Sequence, residues 1–264
     1  MLILKLGDSG AQVKQLQEKL KEAKFDPGTP DGVFGAGTEA AVKAFQKSEG
    51  LDPDGVAGPR TLTKLGVIPA PVALPDITAS VKVADVVKMF PGAALGNIKT
   101  HLPDVLAALS AAKLGDRVMV LTALGTVRAE TAGFVPISEF ISVFNTSPNG
   151  HNFDLYDNRK DLGNQGRPDG DSFKGRGFVQ LTGRSNYQRI GNQIGQDLVN
   201  KPELANDSKI ASTILAAFLQ GVEIDIRVAL AVGDFASARK AVNGGSHGLT
   251  EFIQAYRTGE PLIT

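Results

Sequence analysis

An internal echo constrains this chain more than any other feature. Pro30-Asp31-Gly32-Val33-Phe34-Gly35-Ala36-Gly37-Thr38 returns as Pro53-Asp54-Gly55-Val56-Ala57-Gly58-Pro59-Arg60-Thr61. Each copy is a Pro-Asp-Gly turn leading into a helix, so the segment is a duplicated turn-plus-helix element. A helix pattern precedes both copies. Val13, Leu16 and Leu20 recur at helical spacing, with Lys and Glu on the opposite face. Asp8 or Ser9 is expected to cap that first helix, and Thr38 the second, which carries Ala41, Val42 and Phe45. Leu62 and Leu65 mark a short third helix. Residues 1–66 therefore read as a small three-helix module.

Pro69, Pro71 and Pro75 then interrupt any periodicity, and residues 67–80 read as an extended, semi-rigid linker. Residues 81–264 form the larger unit. Helix patterns are expected at 81–90 and 102–114. Asp116 should cap an almost wholly apolar, buried helix over 117–131, which Gly133 and Pro136 end. Residues 145–177 are rich in Asn, Asp, Gly and Pro, and a structured loop this long in a compact domain is usually functional. A brief strand is expected at 178–183. Helices resume at 185–195, 207–230, 235–243 and 249–257. The fold class is mainly α.

Composition narrows the function classes. Lys+Arg and Asp+Glu are both 28, so the chain has no net charge and lacks the basic excess of a nucleic-acid binder. Without Cys there is neither a disulfide nor thiolate chemistry. His101, His151 and His247 are scattered, without metal-ligand spacing, so no metal and no cofactor is expected. Asp154, Asp157, Asp161, Asp169 and Asp171 lack the spacing of a calcium loop and read as a solvated acidic loop. The opening Met-Leu-Ile-Leu run is too short for a signal sequence or a membrane span. The expectation is a soluble chain made in the cytoplasm, without stable membrane insertion.

Two features carry chemistry. Glu130 ends the apolar helix and Glu139 follows nine residues later. On one continuous helix they would point about 180° apart. With Gly133 and Pro136 between them, the chain can turn and bring Glu139 back across a groove. Glu130, backed by Leu124, Val127 and Phe134, suits a general acid, and Glu139, in an open Ser-flanked stretch, suits a base. The bland alternative is a helix-end Glu130 paired with Arg128 and a solvated Glu139. The second feature is the segment Phe173–Tyr187. Gly175 and Gly177 allow close backbone approach, and Gln180, Thr182, Asn186 and Tyr187 offer neutral donors and acceptors suited to sugar hydroxyls and N-acetyl groups. The alternative is a Gly-rich turn before a capped helix.

Two resemblances join these readings. Gly7, Leu16, Leu20, Asp31, Gly32, Phe34, Thr38, Gln46, Asp54, Gly55 and Gly58, spread over residues 4–65, resemble the peptidoglycan-binding domain of cell-wall hydrolases. Ala-Glu-Thr at 129–131, Phe-Lys-Gly-Arg-Gly-Phe-Val-Gln-Leu-Thr-Gly at 173–183 and Ala-Val-Asn-Gly-Gly at 241–245 fall in the order seen in family 19 glycoside hydrolases. Over about residues 90–258 the chain resembles the lysozyme-like branch found in endolysins. That resemblance implies a two-lobed helical catalytic domain over 81–264. It implies Glu130 as catalytic acid, Glu139 as second carboxylate and Thr182 as the hydroxyl that helps hold the attacking water. It also implies substrate contacts at Gln180, Asn186, Tyr187 and Asn243. His247 stands where chitinase members carry an acidic residue, which weakens a chitinase reading.

The implied protein is a monomeric peptidoglycan hydrolase that cleaves the bond between N-acetylmuramic acid and N-acetylglucosamine with inversion at the anomeric carbon, reaching the wall after holin-type release. A chitinase and a non-catalytic wall binder are the alternatives. No bulk charge grips an anionic wall, and without Trp any sugar stacking falls to Tyr and Phe. Raising salt through the physiological range should therefore weaken binding to purified peptidoglycan only slightly in a sedimentation assay; a steep salt dependence would reveal a local charge patch.

Overall fold

The computed structural model describes residues 2–70, 72 and 74–264. Pro71, one of the prolines behind the linker expectation, lies outside the described residues. The chain groups into two compact units, residues 1–73 with 222–241, and residues 74–221 with 242–264. The sequence pattern places everything after residue 80 in one domain, whereas residues 222–241 group with the first unit. Among the described residues, no helix is long and apolar enough to cross a membrane.

In the first unit, α1 (Ala11–Glu22), α2 (Ala36–Ser48) and α3 (Pro59–Lys64) enclose Leu4, Val13, Leu16, Leu20, Phe34, Val42, Phe45 and Leu62. None of the three begins on a side-chain cap. Gly10, Gly35 and Gly58 occupy the N-cap positions. Asp8 instead accepts from the Lys5 amide, and Thr38 lies inside the first turn of α2. The expected caps at Asp8, Ser9 and Thr38 are thus corrected. The reason is that Thr38 has another task.

That task explains the repeat. Gln17, buried on α1, accepts from the Gly32 amide (2.8 Å) and donates to Asp31, the Val33 carbonyl and Thr38, each at 3.0 Å. Gln46, buried on α2, accepts from the Gly55 amide (2.9 Å) and donates to Asp54 (2.8 Å), the Val56 carbonyl (2.9 Å) and Thr61 (3.3 Å). Asp31 and Asp54 each close their own turn by accepting from Val33 and Val56. Gly32 and Gly55 both take φ near +80°, a conformation glycine adopts without steric cost. Each Pro-Asp-Gly turn is thus clamped by one amide side chain from the preceding helix. These hydrogen bonds hold the Asp31 carboxyl below the usual carboxylate range.

The second unit contains α4 (Val83–Met89), α5 (Leu95–Ala111) and α6 (Arg117–Thr131), then short α7 (Asp154–Asp157) and α8 (Asp169–Ser172). It continues with α9 (Arg184–Ile194) and α10 (Ser208–Ala231), which passes at Gly221 into the residues grouped with the first unit. α11 (Phe235–Asn243) falls mostly among the residues grouped with the first unit, and α12 (Leu249–Gly259) belongs to the second. β1 (Ile137–Ser138) pairs antiparallel with β2 (Arg176–Gly177), Ile137 opposite Gly177. The architecture is mainly helical, as the sequence predicts.

Asp116 caps α6 as expected, accepting from Val118 and Met119. Nine consecutive residues of α6, Met119–Val127, are buried. α12 packs on this helix at glycine positions, with the Phe252 ring against Gly125 and Leu121 against Gly259. α5 starts seven residues before the predicted Leu102 and runs through Pro103. The strand expected at 178–183 lies earlier, at 176–177. Residues 178–180 form a turn instead, because Gln180 takes φ 51° and the Arg176 and Leu181 backbones bond each other across it. Part of the expected spacer is anchored: Ile77 donates to the Gly115 carbonyl at 2.9 Å.

The amide clamps make a direct prediction. Gln17→Leu or Gln46→Leu leaves a buried turn without its partners, and each should lower stability by about 2 kcal/mol or more in urea unfolding of the full chain.

Candidate active site

Glu130 lies half-buried in the last turn of α6. The chain then reverses through Ala132 (φ 48°) and Phe134 (φ 56°). The left-handed backbone falls on these two residues and not on Gly133, at a cost of order 1 kcal/mol each. Phe134 supplies the compensation. It is fully buried, its ring 4.7 Å from Phe90 and 6.0 Å from Phe178. Asn97 secures the turn by donating to the Gly133 carbonyl at 2.9 Å.

This reversal delivers Glu139 to the end of β1. Its amide donates to the Gly175 carbonyl (2.7 Å), extending the β1–β2 pairing by one step. The Glu139 carboxylate is not in an open stretch. Oε1 accepts from Asn145 Nδ2 (3.0 Å) and the Tyr156 hydroxyl (2.9 Å), and Oε2 accepts from the Gly175 amide (3.1 Å). All three partners are donors from separate segments, and a carboxylate accepts them through its two oxygens. Sequence reasoning missed Asn145 and Tyr156. The only signal available was the Asn-rich, loop-like character of 145–177.

Gly175 explains why the Gly-Arg-Gly segment needs glycine. A Cβ there would sit 2.8 Å from Gln180 Oε1 and 3.2 Å from Glu139 Oε2. Glu139 and Gln180 therefore converge over one bare backbone position. Gln180 is held by donating to the carbonyls of Ile137 (3.0 Å) and Gly177 (3.1 Å). The Thr182 hydroxyl donates to the Gln180 carbonyl (2.9 Å), and Asn186 donates to the Thr182 carbonyl (2.9 Å). The four predicted residues Glu139, Gln180, Thr182 and Asn186 are thus linked, directly or through Gly175.

Two other predicted residues stand differently. Tyr187 is fully buried; its hydroxyl donates to the Lys174 carbonyl (2.8 Å) and accepts from Arg176 (3.0 Å). It supports the Gly-rich loop from beneath and presents no surface to a ligand, which corrects its reading as a substrate contact. Asn243 ends α11. It donates to the His247 carbonyl (2.9 Å) and accepts from the Gly245 amide (2.9 Å), closing its own Gly-Gly loop.

The acidic loop is also more structured than expected. Asp157 and Asp169 are buried. Asp157 pairs with His151 at 2.9 Å and accepts from the Gly170 amide. Asp169 accepts from Arg184 Nε (2.7 Å), and that guanidinium holds the Asp169 carboxyl below its usual range. Asn164 bridges the Tyr156 carbonyl and the Arg184 amide, so the loop that carries Tyr156 is tied to the start of α9. Among the described residues, no group of three His, Cys, Asp or Glu side chains could hold a metal ion.

Comparison with known proteins identifies both parts. Residues 9–65 match a family model described as a putative peptidoglycan binding domain, and residues 148–223 match one described as chitinase class I. The chain joins a peptidoglycan-binding domain to a family 19 glycoside hydrolase domain. The second match contains Gln180, Thr182, Asn186 and Tyr187; Glu130, Glu139 and Asn243 lie outside it. An acidic 27 kDa endochitinase of Solanum lycopersicum is 52% identical over 48 residues, 18% of this chain and 19% of that protein. A spore cortex-lytic enzyme of Bacillus cereus is 46% identical over 59 residues, 22% of this chain and 23% of that protein. The chain thus spans about a fifth of the length of these curated relatives. Chitinase C of Streptomyces griseus is similar at 20% identity and TM-score 0.49, over 72% of this chain and 79% of that one.

The tyrosines give the site a spectroscopic signature. Burial, with the Glu139 carboxylate beside it, pushes the Tyr156 hydroxyl up to about 12. Burial pushes Tyr187 up to about 12 and raises Tyr256 as well. In the unfolded chain these phenols ionise near 10. At pH 10 the folded protein should show weaker phenolate ultraviolet absorbance than the unfolded chain. Its stability should fall as pH rises from about 10 towards 12, because the unfolded state loses its phenolic protons first. Equally strong phenolate absorbance from the folded and unfolded protein at pH 10 would contradict the burial of these hydroxyls.

Proposed function

We propose that the protein is a peptidoglycan hydrolase of the endolysin type, acting as a glycosidase on the glycan strands of bacterial cell walls. The observation that carries this reading is the Glu139 carboxylate, held by three donors beside Gln180, on a chain that also bears a peptidoglycan-binding domain. The functional division is a wall-binding module over residues 1–66, a linker over 67–80 and a catalytic domain over 81–264. Attachment of the first to the wall raises the local concentration of the second. The protein acts as a monomer, without nucleic acid, metal or cofactor, and holin-type release would bring such a chain to the wall.

The reaction is a single displacement with inversion at the bond between N-acetylmuramic acid and N-acetylglucosamine. Glu130 protonates the glycosidic oxygen. Glu139 accepts a proton from a water on the opposite face of the sugar as that water's oxygen bonds to the anomeric carbon and the bond to the protonated glycosidic oxygen breaks; Thr182 helps orient the water. Inverting pairs typically stand about 6.5–9.5 Å apart, leaving room for the water. Asn145 and Tyr156 fix the direction of the Glu139 carboxylate. Gln180, Asn186 and Asn243 contact the sugars. Similarity to endochitinases over the Gly-rich segment supports chitin as the second reading.

Glu130→Gln should abolish release of reducing ends from purified peptidoglycan while leaving the unfolding midpoint unchanged; full activity in that variant would overturn the assignment. Thr182→Ala should slow the reaction without abolishing it. Tyr156→Phe removes one hydrogen bond to a charged group and should cost about tenfold or more in kcat. Mass spectrometry of the products distinguishes the two substrates. Soluble chito-oligomers from chitin, with no muropeptides from peptidoglycan, would favour the second.

A further inference from the structure

Among the described residues the aromatic side chains divide sharply. Phe140 and Phe144 are 76% and 85% exposed, and every other Phe and Tyr is buried or half-buried. Ile141 and Val143, between them, are exposed as well. Four apolar side chains in five successive positions thus face solvent directly after Glu139. A surface loop under no functional constraint would not keep such a cluster bare.

This loop is not loose. Asn145, fully buried, donates to the Phe140 carbonyl (2.8 Å) and accepts from the Ser142 amide (2.8 Å). The same Asn145 amide donates to Glu139 Oε1. The Asn145 carbonyl accepts from the Leu155 amide (3.3 Å), which ties the loop to α7. One side chain therefore sets both the shape of the aromatic loop and the direction of the carboxylate.

We propose that Phe140 and Phe144 form the platform on which pyranose rings of the glycan strand stack as they approach Glu139. This rests on the reading of the protein as a glycan hydrolase and adds the residues that set its affinity for sugar. Three observations support it. The platform follows Glu139 directly in the chain, and Asn145 bonds both the Phe140 carbonyl and the Glu139 carboxylate. The chain has no Trp, and its remaining aromatics are spent on the core or held at half-burial. Residues 140–150 carry no charged side chain, and residues 140–158 contain no Lys or Arg. A loop that entered an anionic membrane surface would be accompanied by Lys or Arg. The carbon-bound hydrogens on a pyranose face match a flat apolar ring.

The test uses the full chain in four forms: wild type, Phe140→Ala with Phe144→Ala, Phe140→Leu with Phe144→Leu, and Phe140→Tyr with Phe144→Tyr. Both positions are exposed, so all four should share one unfolding midpoint. On purified peptidoglycan the alanine pair should raise KM about tenfold, with the loss in KM and not in kcat. The leucine pair keeps the apolar character but not the flat face, and should resemble the alanine pair. Restoration by Phe140→Tyr with Phe144→Tyr should follow. A leucine or alanine pair with wild-type KM overturns the proposal. So does wild-type co-sedimentation with phosphatidylethanolamine–phosphatidylglycerol vesicles that the alanine pair abolishes while KM is unchanged.

A second readout separates this proposal from the hydrolase reading. Titration calorimetry with a hexasaccharide of alternating N-acetylglucosamine and N-acetylmuramic acid is run in the Glu130→Gln background. If wild type releases no reducing ends, the hydrolase reading fails. Weaker hexasaccharide binding by the alanine pair would still support the platform. Equal binding, or none in any form, would overturn it.

Discussion

The second unit is organised around one interaction, the seating of the Glu139 carboxylate. Three donors reach it from three segments: Asn145 from the following loop, Tyr156 from α7 and the Gly175 amide from the start of the Gly-rich segment. A half-buried carboxylate needs such partners, because removing it from water without them is costly. Satisfying them dictates much of the surroundings. Gly175 must lack a side chain, β1 must pair with β2, and the loop bearing Tyr156 must be tied down. The last requirement is met at a distance by Asn164 and by the Asp169–Arg184 ion pair at the start of α9.

The first unit solves a similar problem with neutral groups. Gln17 and Gln46 each satisfy a buried turn whose backbone could not otherwise find partners. The duplication in sequence is thus a duplication of one hydrogen-bonding device. Thr38 and Thr61 are its acceptors and not helix caps. In both units buried polar side chains determine loop shape, while leucine, valine and phenylalanine supply the packing.

Much of this was legible in the sequence. The apolar spacing of 117–131 and the Asp116 cap located α6, and the segments at 185–195, 235–243 and 249–257 emerged as helices at nearly those bounds. Glu139, Gln180, Thr182 and Asn186 were singled out from residue type and from resemblance, and the structure links them. The errors share a cause. Local capping rules point to Asp8, Ser9 and Thr38, yet a tertiary partner takes Thr38 and glycines occupy the caps. Tyr187 was judged by its chemistry, whereas its hydroxyl is used beneath the loop. Asp157 and Asp169 looked solvated because their partners, His151 and Arg184, are 6 and 15 residues away.

By itself the sequence determined the mainly helical class, the duplicated module and the residue types available for acid–base chemistry. These follow from periodicity, turn residues and composition, all of which are local. Only the tertiary structure decided which carboxylate is clamped, that Asn145 and Tyr156 clamp it, and that Phe140 and Phe144 are left facing solvent. Hydrogen bonds and burial depend on distances between segments far apart in the chain, and no local pattern encodes those distances.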